Sequence, residues 1–219
     1  MKAAAGTARA ELGPRSKKRW REIVDTSARI FYEKGYDATG IQDVADAVGI
    51  LKGSLYYYID SKEDLLYAVI KEVHDGAMEV MAGVQESEGD EVTKLRRLIQ
   101  DHILYEAKKH RKIAVFYHDF RSLSEGRAAE IRASRHAYEH FVRDLIAAGQ
   151  QQGLVRKELD PGLTAMGIFG MLNWIYQWYR PGRDRPASQL AEEYSKILLE
   201  GLCLNGAVKR PRQPKAGAR

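Results

Sequence analysis

Along most of the 219 residues, apolar side chains recur at spacings of three and four, and β-branched alternation is almost absent. That pattern predicts an all-α fold of about nine helices. In Lys17 to Gly35, Trp20, Ile23, Ser27, Ile30 and Phe31 fall on one stripe, and Gly35 is placed to stop the helix. Thr39-Gly40 opens Ile41 to Val48, whose Ile41, Val44, Ala45 and Val48 repeat the stripe until Gly49. Lys52 to Tyr58 is too short to stand as a helix in water without neighbours. Ser61-Lys62-Glu63-Asp64 is an N-cap with an acidic first turn, and it starts a long helix carrying Leu65, Leu66, Val69, Ile70, Val73 and Ala77.

Further helices are predicted over Val92 to Lys109, Ile113 to Leu123 and Gly126 to Gly149, with Gly153 as a stop. Asp160-Pro161, a cap with Pro at the first helical position, opens a helix to about Tyr179 that Pro181 and Gly182 close. A last helix runs from about Ser188 to Leu204. Three short helices with tight glycine turns at the start of the chain form the pattern of a helix-turn-helix domain, whose last helix enters a major groove. Leu55 is its inward anchor, and Lys52, Ser54, Tyr56 and Tyr57 have outward or flanking directions.

Charge supports that polarity. The balance is 35 Lys and Arg against 30 Asp and Glu, a net +5. Residues 1–21 hold seven basic residues and one acidic, and residues 207–219 hold five basic and none acidic, so the body between them is acidic. A basic start on an acidic body suits nucleic acid meeting that end of the molecule; the basic C-terminal stretch reads equally as a solubilising tail. Arg15, Lys17, Lys18 and Arg19 either add minor-groove or backbone contacts or are solvated charge. The lone Cys203 excludes a disulfide within the chain and fits a reducing compartment. With no signal-like start and no apolar run near the roughly 20 residues of a membrane span, the expectation is a cytoplasmic protein without membrane contact.

The run YDATGIQDVADAVGILKGSLYYYIDSKEDLLYAVI, with its gapless GxxKGxLYxYxxSKEDL string, resembles the N-terminal domain of the TetR family of bacterial transcriptional repressors, densely over Lys17 to Val73. The resemblance implies a homodimer on a palindromic double-stranded DNA operator, released by a small hydrophobic effector. It implies a flexible basic arm over 1–16, the helix-turn-helix domain over 17–62, a ligand-binding and dimerisation domain over 63–206 and a basic flexible tail over 207–219. It gives Thr39 a phosphate, Gln42 a base edge, Lys52, Gly53 and Ser54 the start of the recognition helix, Tyr56 and Tyr57 a thymine methyl or phosphate, and Lys62 a phosphate. Gly40 departs from the Ser or Thr common in the family, which leaves that helix cap in question.

The nearly all-round apolar helix from Pro161 implies burial on two sides. One side lines a cavity; the other, with Ile168 and Ile175, joins Leu190, Tyr194, Ile197, Leu198 and Leu202 in a four-helix dimer interface. The ending NWIYQWYRPGRDRPASQLAEEYSKILLEGL resembles the acyl-CoA-responsive branch of the family, which implies that Trp174 faces the acyl pocket, with Met171 and Trp178 beside it. Some sterol-related members of that branch carry Arg where this chain has Gly170. In KKHRKIAVFYHDFR, the aromatic Phe116, Tyr117 and Phe120 lie beside Lys108, Lys109, Arg111, Lys112 and Arg121, which read either as the cationic mouth for coenzyme A or as a solvated turn. A multidrug-type sensor is the alternative effector class. His136 and His140 in an H-x-x-E-H pattern are the one hint of a zinc enzyme, but Arg132, Arg135 and Arg143 around them repel a cation. Without a phosphate loop, nucleophile elbow or CxxC, neither catalysis, metal nor cofactor is expected.

Overall fold

A computed structural model describes residues 13–203 of the chain. Apart from one isolated bridge between Val155 and Cys203, the described residues are helices and turns. The helices are α1 (Pro14–Lys34), α2 (Ile41–Val48), α3 (Lys52–Leu55), α4 (Lys62–Gln85), α5 (Glu91–Lys108), α6 (His110–Asp119), α7 (Glu125–Gln151), α8 (Pro161–Leu172), α9 (Ile175–Trp178) and α10 (Ala187–Leu202). A 3₁₀ turn, Phe120–Ser122, joins α6 to α7.

Helix boundaries follow the local signals with instructive exceptions. Pro14 starts α1 within its first turn, so the helix expected from Lys17 begins three residues earlier and Arg15 rides on it and not on the arm expected over 1–16. The rest of that arm and the predicted 207–219 tail lie outside the described residues. Asp160 caps α8 by accepting from Leu163 N at 2.7 Å, as its sequence implies. The helix expected from Pro161 to Tyr179 breaks after Leu172, where Gln177 N bonds to Trp174 O, three residues back and not four. No Gly or Pro stands at the break. Tertiary contacts set the direction of α9: Tyr176 stacks on Tyr117 of α6 with ring centroids 4.8 Å apart, and its carbonyl accepts from His110 Nε2 at 3.2 Å.

Two apolar cores share α4. The first joins Ile23, Phe31, Val44 and Leu55 of α1 to α3 with Leu65, Leu66, Val69 and Ile70 of α4, and continues into Ile113 and Phe116 of α6 and Ile131 of α7. The second begins at Val84 near the end of α4 and runs through Leu95, Leu98 and Ile99 of α5, Val142 and Ile146 of α7, Ile168 and Leu172 of α8 and Leu199 of α10. Apolar burial therefore does not divide at residue 62.

Ion pairs fix α4 against its neighbours. Asp64 is buried; its Oδ2 accepts from Asp60 N (2.7 Å) and Ser61 N (2.9 Å), and its Oδ1 takes a hydrogen bond from Arg127 of α7. Arg127 also lies over the Tyr67 ring, while Tyr67 Oη donates to Glu130 at 2.6 Å. Lys112 of α6, itself buried, bridges Asp25 of α1 and Glu72 of α4, both at 2.5 Å.

Burial pushes the Asp64 carboxyl up, but the hydrogen bonds from Arg127, Ser61 and Asp60 outweigh it and hold it below the usual carboxylate range. Glu63 and Glu72 are depressed by the same balance, with Ser124 and Arg127 acting on the first and Lys109 and Lys112 on the second. A depressed folded value stabilises fully above the unfolded carboxylate pKa and is lost as pH falls through the folded value. Carboxylate pairing should therefore make thermal melts fall steeply below about pH 4, after a shallower decline from about pH 6 that the lowered His74 and His110 contribute. Asp64→Asn should cost about 1–3 kcal/mol at neutral pH and shrink the acid loss.

Candidate functional site

The first site is the exposed end of the three-helix start. In α3 only Leu55 is buried, and it is fully so, which nails a four-residue helix to the domain; its burial stabilises by roughly 1.5–3 kcal/mol. Lys52, Gly53 and Ser54 are left exposed, with Tyr56 at 47% and Tyr57 at 73% exposure. The helix is shorter than the expected Lys52 to Tyr58: Tyr57 N and Tyr58 N bond three residues back, to Ser54 O and Leu55 O. Tyr58 turns inward and stacks on Trp20 at 6.4 Å. Leu51, 80% exposed just before Lys52, joins this surface. Sequence reading passed over it, although an apolar residue outside the inward stripe at the head of α3 was a usable signal.

Gln42 is exposed on α2, with its Nε2 donating to Asp46 at 2.7 Å. Two expected phosphate contacts are engaged elsewhere. Thr39 is buried, and its hydroxyl donates to Gly35 O at 2.8 Å, closing the turn after α1. Lys62 Nζ donates to the carbonyls of Tyr36 (2.9 Å) and Thr39 (3.0 Å) and sits 4.2 Å from the Tyr36 ring centre. It locks the α1–α2 turn to the head of α4, so its cationic tip faces protein carbonyls. Gly40 is indeed the N-cap of α2, and in place of a side-chain cap Asp43 Oδ2 accepts its N–H at 2.7 Å.

The second site is internal. A cavity of about 70 Å³ lies among α4, α5, α6, α7 and α8. Val73, Ala77, Met78, Ile113, Phe116 and Phe169 give it apolar walls, and His74, His102, Tyr105, Glu106, Tyr117, Arg135, Tyr138, Glu139 and Asn173 give it polar ones. Of the residues expected here, Phe116 and Tyr117 line it. Phe120 packs behind Phe116 at 5.6 Å, and Arg121 is exposed in the 3₁₀ turn. Burial pushes the phenols of Tyr117, Tyr138 and Tyr105 up, so all three stay protonated, and it pushes the His74 imidazole down.

The expected cationic mouth is elsewhere. Lys108, Lys109, Arg111 and Lys112 line a separate surface cleft with Asp25 and Arg29, and Lys109 and Lys112 are held by Glu72. The cavity's own guanidinium is Arg135, half-buried and 5.9 Å from the Phe116 ring centre. Of His102, His110 and His118, only His102 lines the cavity. The three recur at eight-residue spacing, which reads as a solvated or pocket-lining face; the missed signal was Glu106, one turn beyond His102 in the otherwise aliphatic stripe of α5. His136 and His140 are exposed on α7, His136 lies 3.6 Å from Glu139, and among the described residues no cluster of three metal-ligating side chains exists.

A third surface is apolar and outward. Leu163, Met166, Gly167, Gly170, Met171 and Trp174 follow helical spacing along the outside of α8, and Trp178 and Ile197 extend the exposed face onto α9 and α10. Met171, Trp174 and Trp178 thus lie outside the cavity where they were expected. Conversely, Ile168, Ile175, Leu190 and Leu198 are buried within the protomer's own second core, while Ile197 is exposed and Tyr194 and Leu202 are half-buried. Periodicity finds both stripes of an all-round apolar helix without saying which faces in; Gly167 and Gly170, poor core fillers, mark the outer one.

Residues 23–69 match the family model described as "Bacterial regulatory proteins, tetR family", and residues 88–202 match "Tetracyclin repressor-like, C-terminal domain". The chain is similar to the HTH-type transcriptional repressor KstR2 of Rhodococcus jostii, 29% identical over 185 residues, covering 83% of this chain and 89% of that protein. Its fold matches the ketosteroid transcriptional regulator KstR2 of Mycobacterium tuberculosis, with a TM-score of 0.80, 27% identity, and 86% and 96% of the two chains covered. It also matches AibR in complex with isovaleryl coenzyme A and operator DNA, with a TM-score of 0.75, 30% identity, and 83% and 98% covered.

Lys62 and Lys52 should separate in their effects. Lys62→Met should lose about 1–2 kcal/mol in urea melts, because the carbonyls of Tyr36, Asp37 and Thr39 lose a charged donor, whereas Lys52→Ala should change stability by less than about 0.5 kcal/mol.

Proposed function

The chain belongs to the TetR family of bacterial transcriptional regulators, and from that premise we propose that it is a dimeric repressor released from a palindromic operator by an acyl-CoA thioester. One observation carries the reading. A single helix, α4, starts beneath an exposed DNA-reading surface and goes on to form a wall of an internal, part-polar cavity. Occupying the cavity and orienting α3 are thereby coupled through one rigid element.

On the DNA side, Leu51, Lys52, Ser54, Tyr56 and Tyr57 form the reading surface of α3, with Gln42 on α2 and the basic first turns of α1 beside it. Gly53 lets the backbone approach closely. Base edges are read by few side chains, and the lysines and arginines supply salt-dependent affinity. Gln42 suits an adenine N6/N7 edge once it lets go of Asp46.

On the partner side, the outward face of α8 to α10 is the isologous interface. The large apolar side chains that the isolated protomer leaves exposed there exceed what scattered surface residues need, and Gly167 and Gly170 let a symmetry-related α8 come close. The effector class is supported by the relative solved with isovaleryl coenzyme A and by a cavity joining aromatic walls to one guanidinium. Effector binding favours an arrangement whose recognition helices no longer match major grooves about 34 Å apart.

Three measurements decide the reading. Lys52→Ala and Tyr57→Ala should each weaken binding to a duplex selected from a random library by about tenfold or more, with Lys52→Ala also lowering the salt slope by about one. Met166→Glu should convert dimer to monomer in size-exclusion light scattering and abolish operator binding. Isovaleryl- or octanoyl-CoA should release the duplex where the free acids do not; release by free acids or dyes alone would move the protein to the multidrug-type sensors.

A further inference from the structure

The inner stripe of α5 runs Leu95, Leu98, Ile99, His102, Ile103 and Glu106. Four are aliphatic, as a core stripe should be, and the two that are not both line the cavity. Glu106 is 4% exposed. Its Oε1 stands 3.3 Å from His102 Nε2, off the line of a hydrogen bond, and its Oε2 has no hydrogen-bond partner among the described residues. His102 Nδ1 lies 3.3 Å from the Tyr138 hydroxyl. Burial grades the cavity: Arg135 and Glu139 are half-buried at its rim, while Glu106, His102 and Tyr138 are buried at its inner end.

A buried carboxylate oxygen without a donor costs free energy, and a leucine at position 106 would remove that cost while continuing the stripe. Taking the cavity as the effector site proposed above, we infer that the preferred effector's inner end carries a hydroxyl that Glu106 accepts, so that hydroxylated acyl or ring-bearing thioesters bind more tightly than plain saturated chains. With the Tyr138 hydroxyl donating to His102 Nδ1, the imidazole is held with its Nε2–H toward Glu106 Oε1, and Oε2 is left for the ligand O–H. A plain hydrocarbon end would seal the same oxygen away from any donor. Sites built to accept from a ligand hydroxyl reject the deoxy analogue strongly for this reason.

The test is titration calorimetry on the full-length protein with two matched pairs, octanoyl-CoA against ω-hydroxyoctanoyl-CoA, and toluene against p-cresol. The wild type should bind the hydroxylated member of a pair at least about tenfold more tightly. Glu106→Leu should abolish or reverse that preference while its melting temperature stays at or above the wild-type value, which a merely structural carboxylate would not allow. Glu106→Gln, isosteric and with an acceptor retained, should keep the preference in reduced form. Equal affinities or no binding in both pairs, an unchanged preference in either variant, or a Glu106→Leu protein that melts lower or fails to fold overturns the inference. If neither thioester binds but p-cresol still outbinds toluene in a Glu106-dependent way, the hydroxyl site stands and the thioester reading falls.

Discussion

The buried carboxylate of Asp64 is the constraint around which the rest is arranged. Two backbone N–H groups ahead of α4 and the Arg127 guanidinium converge on it, so the place where α4 begins and the side on which α7 lies are settled by one group. Leaving any of these donors off would strand a charge inside the protein, which costs far more than an exposed ion pair contributes. Lys112 repeats the logic one layer further along, drawing Asp25 of α1 and Glu72 of α4 together. Most other ion pairs, such as Arg29 with Glu33 or Lys196 with Glu192, are exposed and set little.

α8 shows how one helix serves two environments. Its inner stripe of Ala165, Ile168 and Leu172 closes the second core, and its outer stripe holds flexible methionines, glycines and a tryptophan. The division of chemistry is physical: branched aliphatics pack densely in a core with few rotamers, whereas methionine adapts and glycine permits close approach on the exposed face. The half-buried Tyr194 stacks on Trp178 at 6.4 Å and ties α9 to α10 behind that face.

Much of the fold was legible because its punctuation is local. Gly35, Gly49 and Gly153 end segments at positive φ, Ser61 and Asp160 start them, and the recognition helix was visible from Leu55 as the sole inward anchor among tyrosines. What was not legible depends on long-range contact. Lys62 looked like a phosphate ligand because the family resemblance assigns that role to its position, and only the fold brings the Tyr36 and Thr39 carbonyls under it. Trp174 looked like a pocket residue because the ending around it resembles the acyl-CoA-responsive branch, but at the break before α9 it is exposed. The cavity's polar end was half legible on α5: the spacing of His102, His110 and His118 suggested a solvated or pocket-lining face, whereas Glu106, one turn on from His102, went unread amid the louder basic turn that follows.

Gly76 is where the helix that joins the two sites meets Tyr105 of α5. It faces Tyr105 so closely that a β-carbon there would stand 2.4 Å from the phenol oxygen, while the hydroxyl itself donates to Val73 O at 2.9 Å. The same ring belongs to the cavity wall. At 1.5 Å of rise per residue, Lys62 lies roughly 20 Å along α4 from this contact. A tilt of α4 by only about 10° about this contact would carry the head of α4, and the helix-turn-helix locked to it, through roughly 3–4 Å. On such a lever, a small displacement at one aromatic ring would be magnified at the far end of the helix.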